Sequence, residues 1–286
     1  MLSVQSSLGF GGASLTSMPN YTAVKRLLNH AYALGIRHFD TAALYGKGYS
    51  ELIYGHFLKD KRKDITLTTK FGLGDFKTNK IPVELLLPLN YHLKRIKNTL
   101  KRTPLPNSLS DNAPHTSLAY RQINKSDIER QFQTSLSRLQ TDYIDYYLLH
   151  EGLPAFLTDD ALAFLFDLKK QGRIRFIGLG THILDIKTLT NNDLQNWDVL
   201  QYGGGHEAAA LEIREKFPNK IHFHHSCIQQ KDPLSINSKN SSIGQTLAQC
   251  ARNNPEGKII FSTRNQDRLS ANIYEFLKTI NNNALH

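Results

Sequence analysis

The chain is poor in cysteine: its 286 residues include only Cys227 and Cys250. Two thiols give neither a disulfide framework nor the spacing of a metal-ligand set, so we expect ordinary packed thiols, no metal site and a reducing compartment. No window approaches the roughly 18 apolar residues of a membrane span, and the first residues lack a basic segment followed by an apolar one. We therefore expect a cytoplasmic protein with no membrane partner.

Acidic residues are also scarce relative to basic ones. The chain has 35 Lys and Arg against 25 Asp and Glu, a formal net charge of +10. This excess favours anionic ligands, but charge alone does not separate nucleic acid from a nucleotide cofactor. The only further support for nucleic-acid binding is a basic segment at 93–102, so we expect no nucleic-acid partner.

No internal repeat or composition shift divides the chain. Stretches rich in β-branched and aromatic residues alternate with stretches of helical period, which is typical of βα units around a parallel sheet. Gly35 is a predicted helix stop and Ser50 a predicted helix N-cap. With 40% hydrophobic residues, the pattern predicts one α/β domain over residues 1–286, a (β/α)8 TIM barrel. The eight predicted strands lie in SLGFGGASL, IRHFDTA, DITLTTKFG, YIDYYLLH, IRFIGLG, WDVLQYG, KIHFHHSCI and GKIIFST.

One connection breaks this alternation. The stretch from about Asp75 to Lys125 is far longer than a usual βα loop of a few residues. It contains NYHLKRIKNTLKR, with Leu93, Ile96 and Leu100 at helical spacing, and then the turn-rich PLPNSLSDNAP. Because this excursion leaves the carboxyl end of the third strand, we expect it to overhang the pocket. Two interpretations stay open: a solvated surface helix, or a lid or anion-guiding arm.

Polar residues stand near the ends of three consecutive predicted strands: Asp40, Lys70 and His150, with Tyr45 one short loop after Asp40. The carboxyl ends of barrel strands open onto one face, so these four groups are expected to share a pocket. There Lys70 would lower the pKa of Tyr45, Asp40 would hold Lys70 charged, and His150 would orient a carbonyl oxygen. Taken singly, each residue has an ordinary structural interpretation; together they suit carbonyl reduction.

The same segments resemble a known family. GIRHFDTAALYG, the strand ending in TTKFG, and SLSRLQTDYIDYYLLH are similar to the aldo-keto reductases over nearly the whole chain. The resemblance implies catalytic roles for Asp40, Tyr45, Lys70 and His150, with Tyr45 as proton donor. It also implies NADPH as hydride donor, with NADH as the other option, and reduction of an aldehyde, ketone or sugar carbonyl, or the reverse alcohol oxidation. We further expect a polar or anionic substrate and a monomer or weak homo-oligomer.

The segment FSTRNQDRLSAN, after the last strand, is similar to the family segment that holds the adenosine 2′-phosphate, and Arg268 and Asn272 match best. Ser262, Thr263 and the start of the following helix can cradle a phosphate, while Arg264 and Arg268 can supply positive charge.

The nicotinamide end departs further from the family pattern. Gln201 resembles the glutamine that binds the nicotinamide carboxamide. Gly180 and Thr181 stand where a serine and an asparagine are common, and Thr181 is expected to keep one carboxamide contact. His225, beside Ser226, replaces the common stacking tyrosine and would stack less strongly.

Two features of the sequence point to other classes of function. The departures at Gly180 and His225 motivate a catalytically weak sensor or regulatory protein that binds nicotinamide nucleotide. The run His222–His225 places two histidines on one strand face, which motivates a metal-dependent barrel hydrolase. No acidic cluster or further histidine pair completes such a ligand set, so we expect no catalytic metal.

Overall fold

The computed structural model describes residues 2–73, 81–100, 122–203, 207–227 and 242–282. Eight parallel strands close into a barrel in chain order, which confirms the predicted fold class. Every strand pairs with the next one, and the last returns to the first. The strands are β1 Leu8–Gly11, β2 His38–Asp40, β3 Thr66–Phe71, β4 Ile144–His150, β5 Ile174–His182, β6 Val199–Gly203, β7 Ile221–His225 and β8 Lys258–Phe261.

Helices surround this barrel. The helix after β1 ends at Ala33, and Gly35 follows at a φ of 94°, so the predicted stop is confirmed. The predicted N-cap at Ser50 is wrong, because that helix begins at Tyr49 after Gly48 and the Ser50 hydroxyl instead donates to Gly12 O. The helices are α1 Val4–Ser7, α2 Tyr21–Ala33, α3 Tyr49–Leu58, α4 Val83–Leu100, α5 Lys125–Leu139, α6 Asp159–Lys170, α7 Ile183–Thr188, α8 Glu207–Lys216, α9 Ile243–Arg252 and α10 Gln266–Asn282.

The strand register brings distant polar residues to one end of the barrel. Lys70 pairs with Leu148 on β4, two positions before His150; His150 then pairs with Gly180, which pairs with Gln201. The interior below these residues is filled by an apolar cluster of Leu148, Val199, Phe223 and Ile260. The barrel is thus a packed core, and the space for chemistry lies at the carboxyl ends of the strands.

The long connection after β3 is partly described. Helix α4 begins at Val83, earlier than the predicted helical stretch, and it buries Val83, Leu86 and Leu87 in the same cluster as Tyr49 of α3. Leu93 is exposed, and the turn-rich segment 104–114 lies outside the described residues. The overhang of the pocket stays a prediction. No helix in the described ranges is long and apolar enough to cross a bilayer.

Candidate active site

A buried ion pair occupies the carboxyl end of the barrel. Lys70 Nζ lies 2.8 Å from Asp40 Oδ1 and 2.9 Å from Oδ2, and it also donates to the Thr41 carbonyl oxygen at 2.9 Å. Both side chains are only 3 to 4% exposed. An ammonium removed from water requires such partners, and here a carboxylate and a carbonyl oxygen supply all three. Strands β2 and β3 are neighbours, which fixes this pair rigidly.

Tyr45 and His150 complete the predicted group of four. Tyr45 opens a 3₁₀ turn, Tyr45–Gly48, directly after the β2 loop, and its hydroxyl lies 3.5 Å from Lys70 Nζ. The His150 ring meets the Tyr45 ring edge to face, with centroids 5.8 Å apart. His150 is buried, whereas Tyr45 is partly open to solvent. The structure therefore brings all four side chains together, with the phenol nearest the opening.

Burial sets the protonation states of these groups. Desolvation raises the pKa of Tyr45 by more than the Lys70 ammonium lowers it, so the expectation of a net lowering is wrong. Desolvation lowers the pKa of Lys70, but the interactions with Asp40 and Tyr45 outweigh it, so the pKa of Lys70 is raised on balance. Desolvation, with help from Lys70 and His225, holds the pKa of His150 well below its usual range. At neutral pH the site holds a neutral phenol, an ammonium and a neutral imidazole.

Gln201 lies beside the ion pair. Its Nε2 donates to Asp40 Oδ2 at 2.8 Å, while its Oε1 is buried without a hydrogen-bond partner among the described residues. A buried acceptor that is left unpaired costs free energy unless a ligand supplies a donor. A Cβ added to Gly180 would stand 3.7 Å from this oxygen and 3.3 Å from Lys70 Cδ, so the glycine keeps that space open.

The other predicted nicotinamide contacts divide into two groups. His225 Nδ1 lies 3.0 Å from the Ser226 hydroxyl, and the ring packs so closely on Gly203 that a Cβ there would overlap it. Both His225 and Ser226 line the pocket. Thr181 does not join them, because its hydroxyl points toward Asp185 of α7 at 3.5 Å. Residues alternate along a strand, so Gly180 faces the pocket and Thr181 the helix layer.

The pocket is a cavity of about 310 Å³ that runs from Asp40 and Tyr45 to the start of α10. Four residues of the predicted phosphate segment line it, namely Ser262, Thr263, Arg268 and Asn272. Arg264 is exposed and is absent from the described lining. Sequence reasoning missed Gly11, Ala13 and Ile243, which also line the cavity. The available signal is the glycine pair at the end of β1, Gly11 and Gly12, since backbone approaches a ligand most closely where no side chain intervenes.

The protein is thus a (β/α)8 barrel in which a buried lysine–aspartate pair lies beside a tyrosine hydroxyl, at one end of a ligand-sized cavity. The family model for the aldo/keto reductase family matches residues 7–201. The chain therefore belongs to the aldo/keto reductase family of oxidoreductases.

Among curated proteins, an uncharacterized oxidoreductase of Bacillus subtilis, YqkF, is 30% identical over 176 residues, 62% of this chain and 45% of the relative. The NADH-specific methylglyoxal reductase of Escherichia coli is 30% identical over 152 residues, 52% of this chain and 38% of the relative. The matched region thus spans less than half the length of either relative.

Solved structures share the fold. An aldo-keto reductase from Bacillus halodurans in its holo form superposes with a TM-score of 0.65 at 19% identity, covering 98% of this chain and 93% of that one. An aldo-keto reductase from Klebsiella pneumoniae in complex with NADPH gives a TM-score of 0.58 at 14% identity, covering 94% and 84%.

Proposed function

We propose that the protein reduces the carbonyl group of an aldehyde, ketone or sugar with NADPH as the reductant, and catalyses the reverse alcohol oxidation. The observation that carries this proposal is the position of Lys70 Nζ, between both carboxylate oxygens of Asp40 and the hydroxyl of Tyr45. When bound, a reduced nicotinamide supplies a hydride to the carbonyl carbon. The residues of this chain supply the proton and the electrostatic stabilisation.

Tyr45 is the proposed proton donor. Its raised pKa keeps the phenol protonated at neutral pH, so a proton is available as negative charge develops on the carbonyl oxygen. The resulting phenolate would lie beside the Lys70 ammonium, which favours the charged form of the tyrosine. Asp40 keeps that ammonium in place, and the charges are fixed before the reaction begins. Such preorganised groups need no rearrangement as the transition state forms.

His150 is the proposed orienting group. Its ring stands edge to face with Tyr45, so an oxygen that accepts the Tyr45 proton would also lie near the imidazole. Because His150 is neutral at working pH, it can donate one N–H hydrogen bond without adding a positive charge beside Lys70. That bond would hold the carbonyl oxygen toward the phenol and position the carbon for reduction.

A nicotinamide nucleotide suits the remaining lining. The unpaired Gln201 Oε1 is an acceptor for the amide hydrogens of a carboxamide, and His225 with Ser226 forms the adjoining wall. Ser262, Thr263, Arg268 and Asn272 would hold the phosphates at the far end of the cavity. Thr181 drops out of the proposed carboxamide contacts because its hydroxyl faces Asp185. Arg264 would contribute only long-range charge.

NADPH is the proposed cofactor because Arg268 lines the phosphate end of the cavity. A guanidinium pairs well with a phosphate, and NADPH differs from NADH by one phosphate on the adenosine ribose. We expect Arg268→Ala to weaken NADPH binding by about tenfold or more and to leave NADH binding nearly unchanged. The dissociation constants from calorimetry decide this, with the exposed Arg264→Ala as the matched control. Equal losses for both nucleotides would contradict the assignment.

The activity is tested with a panel of aldehydes, ketones and sugars. Oxidation of NADPH, followed by its absorbance, is expected with at least one polar or anionic carbonyl. Nucleotide binding is measured calorimetrically on the same preparation. Binding without turnover on any carbonyl would contradict the proposed reduction, and so would turnover that is independent of nucleotide.

A further inference from the structure

A second cluster of reactive side chains lies outside the carbonyl pocket, on the outer face of β7. Ligand-type atoms of Glu207, His224 and Cys250 all lie within 4.8 Å of one another. They come from three elements, since Glu207 begins α8, His224 is on β7 and Cys250 is on α9. Residues alternate along β7, so His225 faces the carbonyl pocket while His224 faces the helix layer.

The spacing suits a shared metal ion. Glu207 Oε2 is 3.4 Å from His224 Nδ1 and 3.6 Å from Cys250 Sγ. Bonds of about 2.0–2.3 Å from zinc to oxygen, nitrogen and sulfur place tetrahedral ligand atoms about 3.3–3.8 Å apart. Glu207 therefore stands at ligand distance from both partners, and His224 and Cys250 lie within 4.8 Å of each other.

His224 supplies an independent indication of a ligand. The residue is fully buried, and neither ring nitrogen has a hydrogen-bond partner among the described residues. The Glu207 oxygen is close to Nδ1 but is poorly aligned for a hydrogen bond. A buried imidazole normally has a partner for at least one nitrogen, and a metal ion aligned with a lone pair would serve as one.

Neighbouring side chains orient Glu207 without occupying the oxygen that would bind the metal. The other carboxylate oxygen of Glu207, Oε1, accepts hydrogen bonds from Arg214 and Asn253, which turns Oε2 toward His224 and Cys250. Partners of this kind commonly orient metal ligands. The Cys227 thiol is also free and buried, and its nearness contributes to raising the pKa of Cys250, so a second sulfur borders the same space.

We propose that Glu207, His224 and Cys250, whose ligand atoms already lie together, form a structural Zn²⁺ site, and that the neighbouring Cys227 side chain turns toward them to become the fourth ligand. Thiolate and imidazole ligands favour zinc over magnesium or calcium, and four protein ligands leave no open position for catalysis. The charges of Zn²⁺ and Arg214 would balance two thiolates and one carboxylate. The site would tie β7 to α8 and α9, and its ligands His224 and Cys227 flank the pocket residues His225 and Ser226 along the chain.

The test uses the whole reduced protein, freed of metal by a chelator and kept in a phosphine reductant. Zinc is titrated in competition with a chromophoric chelator, and cobalt is titrated as a spectroscopic probe. We expect one ion per chain, a higher melting temperature with zinc, and both the visible bands of tetrahedral cobalt and near-ultraviolet sulfur-to-cobalt charge transfer. Absence of stoichiometric binding, or a cobalt complex without charge transfer, would overturn the proposal.

Substitutions locate the ion. Cys250→Ser, Cys227→Ser and His224→Asn are each expected to weaken zinc binding by at least about tenfold. His222→Gln is the matched control, because His222 lies on the same face but already contacts the Phe217 carbonyl oxygen. That variant should bind zinc like the wild type; if it fails to fold, His30→Gln on α2 replaces it. Wild-type affinity in His224→Asn or Cys250→Ser would exclude this cluster as the site.

Discussion

Gln201 and Asp40 are joined by a hydrogen bond of 2.8 Å from the amide nitrogen to a carboxylate oxygen, across 161 positions of sequence. Gln201 and Lys70 share the Asp40 carboxylate, because Lys70 contacts both of its oxygens. The bond fixes which way the glutamine amide points, and it leaves Oε1 without a hydrogen-bond partner among the described residues. The residue proposed to hold the nicotinamide is thus anchored to the same carboxylate that holds the lysine charge.

Removal of this glutamine amide should weaken nucleotide binding. In Gln201→Leu the carboxamide loses its acceptor, which corresponds to about 1–1.5 kcal/mol and a roughly tenfold higher dissociation constant. Calorimetric titration with NADPH measures this dissociation constant. Gln195→Leu, at an exposed loop position before β6, is the control. An unchanged dissociation constant in Gln201→Leu would remove Gln201 from the cofactor site.

Gly180 offers a gain-of-contact experiment. A Cβ at this position would stand near Gln201 Oε1 and the Lys70 stem without touching backbone atoms. In Gly180→Ser, the added hydroxyl would give the carboxamide one more hydrogen-bond partner, so we expect NADPH to bind several-fold more tightly. Gly180→Ala adds the same carbon without the hydroxyl and serves as the control. If serine and alanine have equal effects, the carboxamide does not lie beside position 180.

Buried histidines should make the metal-free fold sensitive to acid. Burial lowers the pKa of His222 and of His224 to about 4, whereas an unfolded histidine takes up a proton near pH 6.5. The unfolded state then binds more protons than the native state between about pH 6.5 and 4, so the free energy of unfolding falls as the pH falls. Each group contributes about 1.4 kcal/mol per pH unit across this window.

Urea unfolding at pH 7, 6 and 5, in buffer with a chelator, measures this dependence. His222→Gln should reduce the slope of unfolding free energy against pH, because one of the buried neutral imidazole rings is gone. A free energy that stays constant from pH 7 to 5 would contradict the protonation states derived from burial.

Much of the barrel and its catalytic end could be predicted from sequence because both depend on local patterns. A strand that ends in a polar residue opens on the same face as its neighbours, so Asp40, Lys70 and His150 were expected to meet and they do. Family resemblance added Gln201, whose contact with Asp40 depends on barrel closure. No local pattern could reveal that distance.

Other features needed the structure. Thr181 is predicted to contact the carboxamide, but its hydroxyl lies toward Asp185 instead. Which face of β5 a residue occupies depends on where the strand alternation starts, and the sequence does not give that. The direction of the Tyr45 pKa shift depends on the balance of desolvation against the Lys70 charge, which requires depth of burial. Glu207, His224 and Cys250 have no recognisable ligand spacing in sequence, because three separate elements carry them.

The Tyr45→Phe variant tests whether Tyr45 delivers the proton to the carbonyl oxygen. The variant keeps the ring that packs on His150 and lacks only the hydroxyl near Lys70. The decisive measurement is kcat for carbonyl reduction together with the NADPH dissociation constant, compared with the exposed Tyr274→Phe on α10. We predict that Tyr45→Phe lowers kcat by about a hundredfold or more with nearly unchanged nucleotide affinity, and that Tyr274→Phe behaves like the wild type. A Tyr45→Phe protein with wild-type kcat would contradict the assignment of Tyr45 as proton donor.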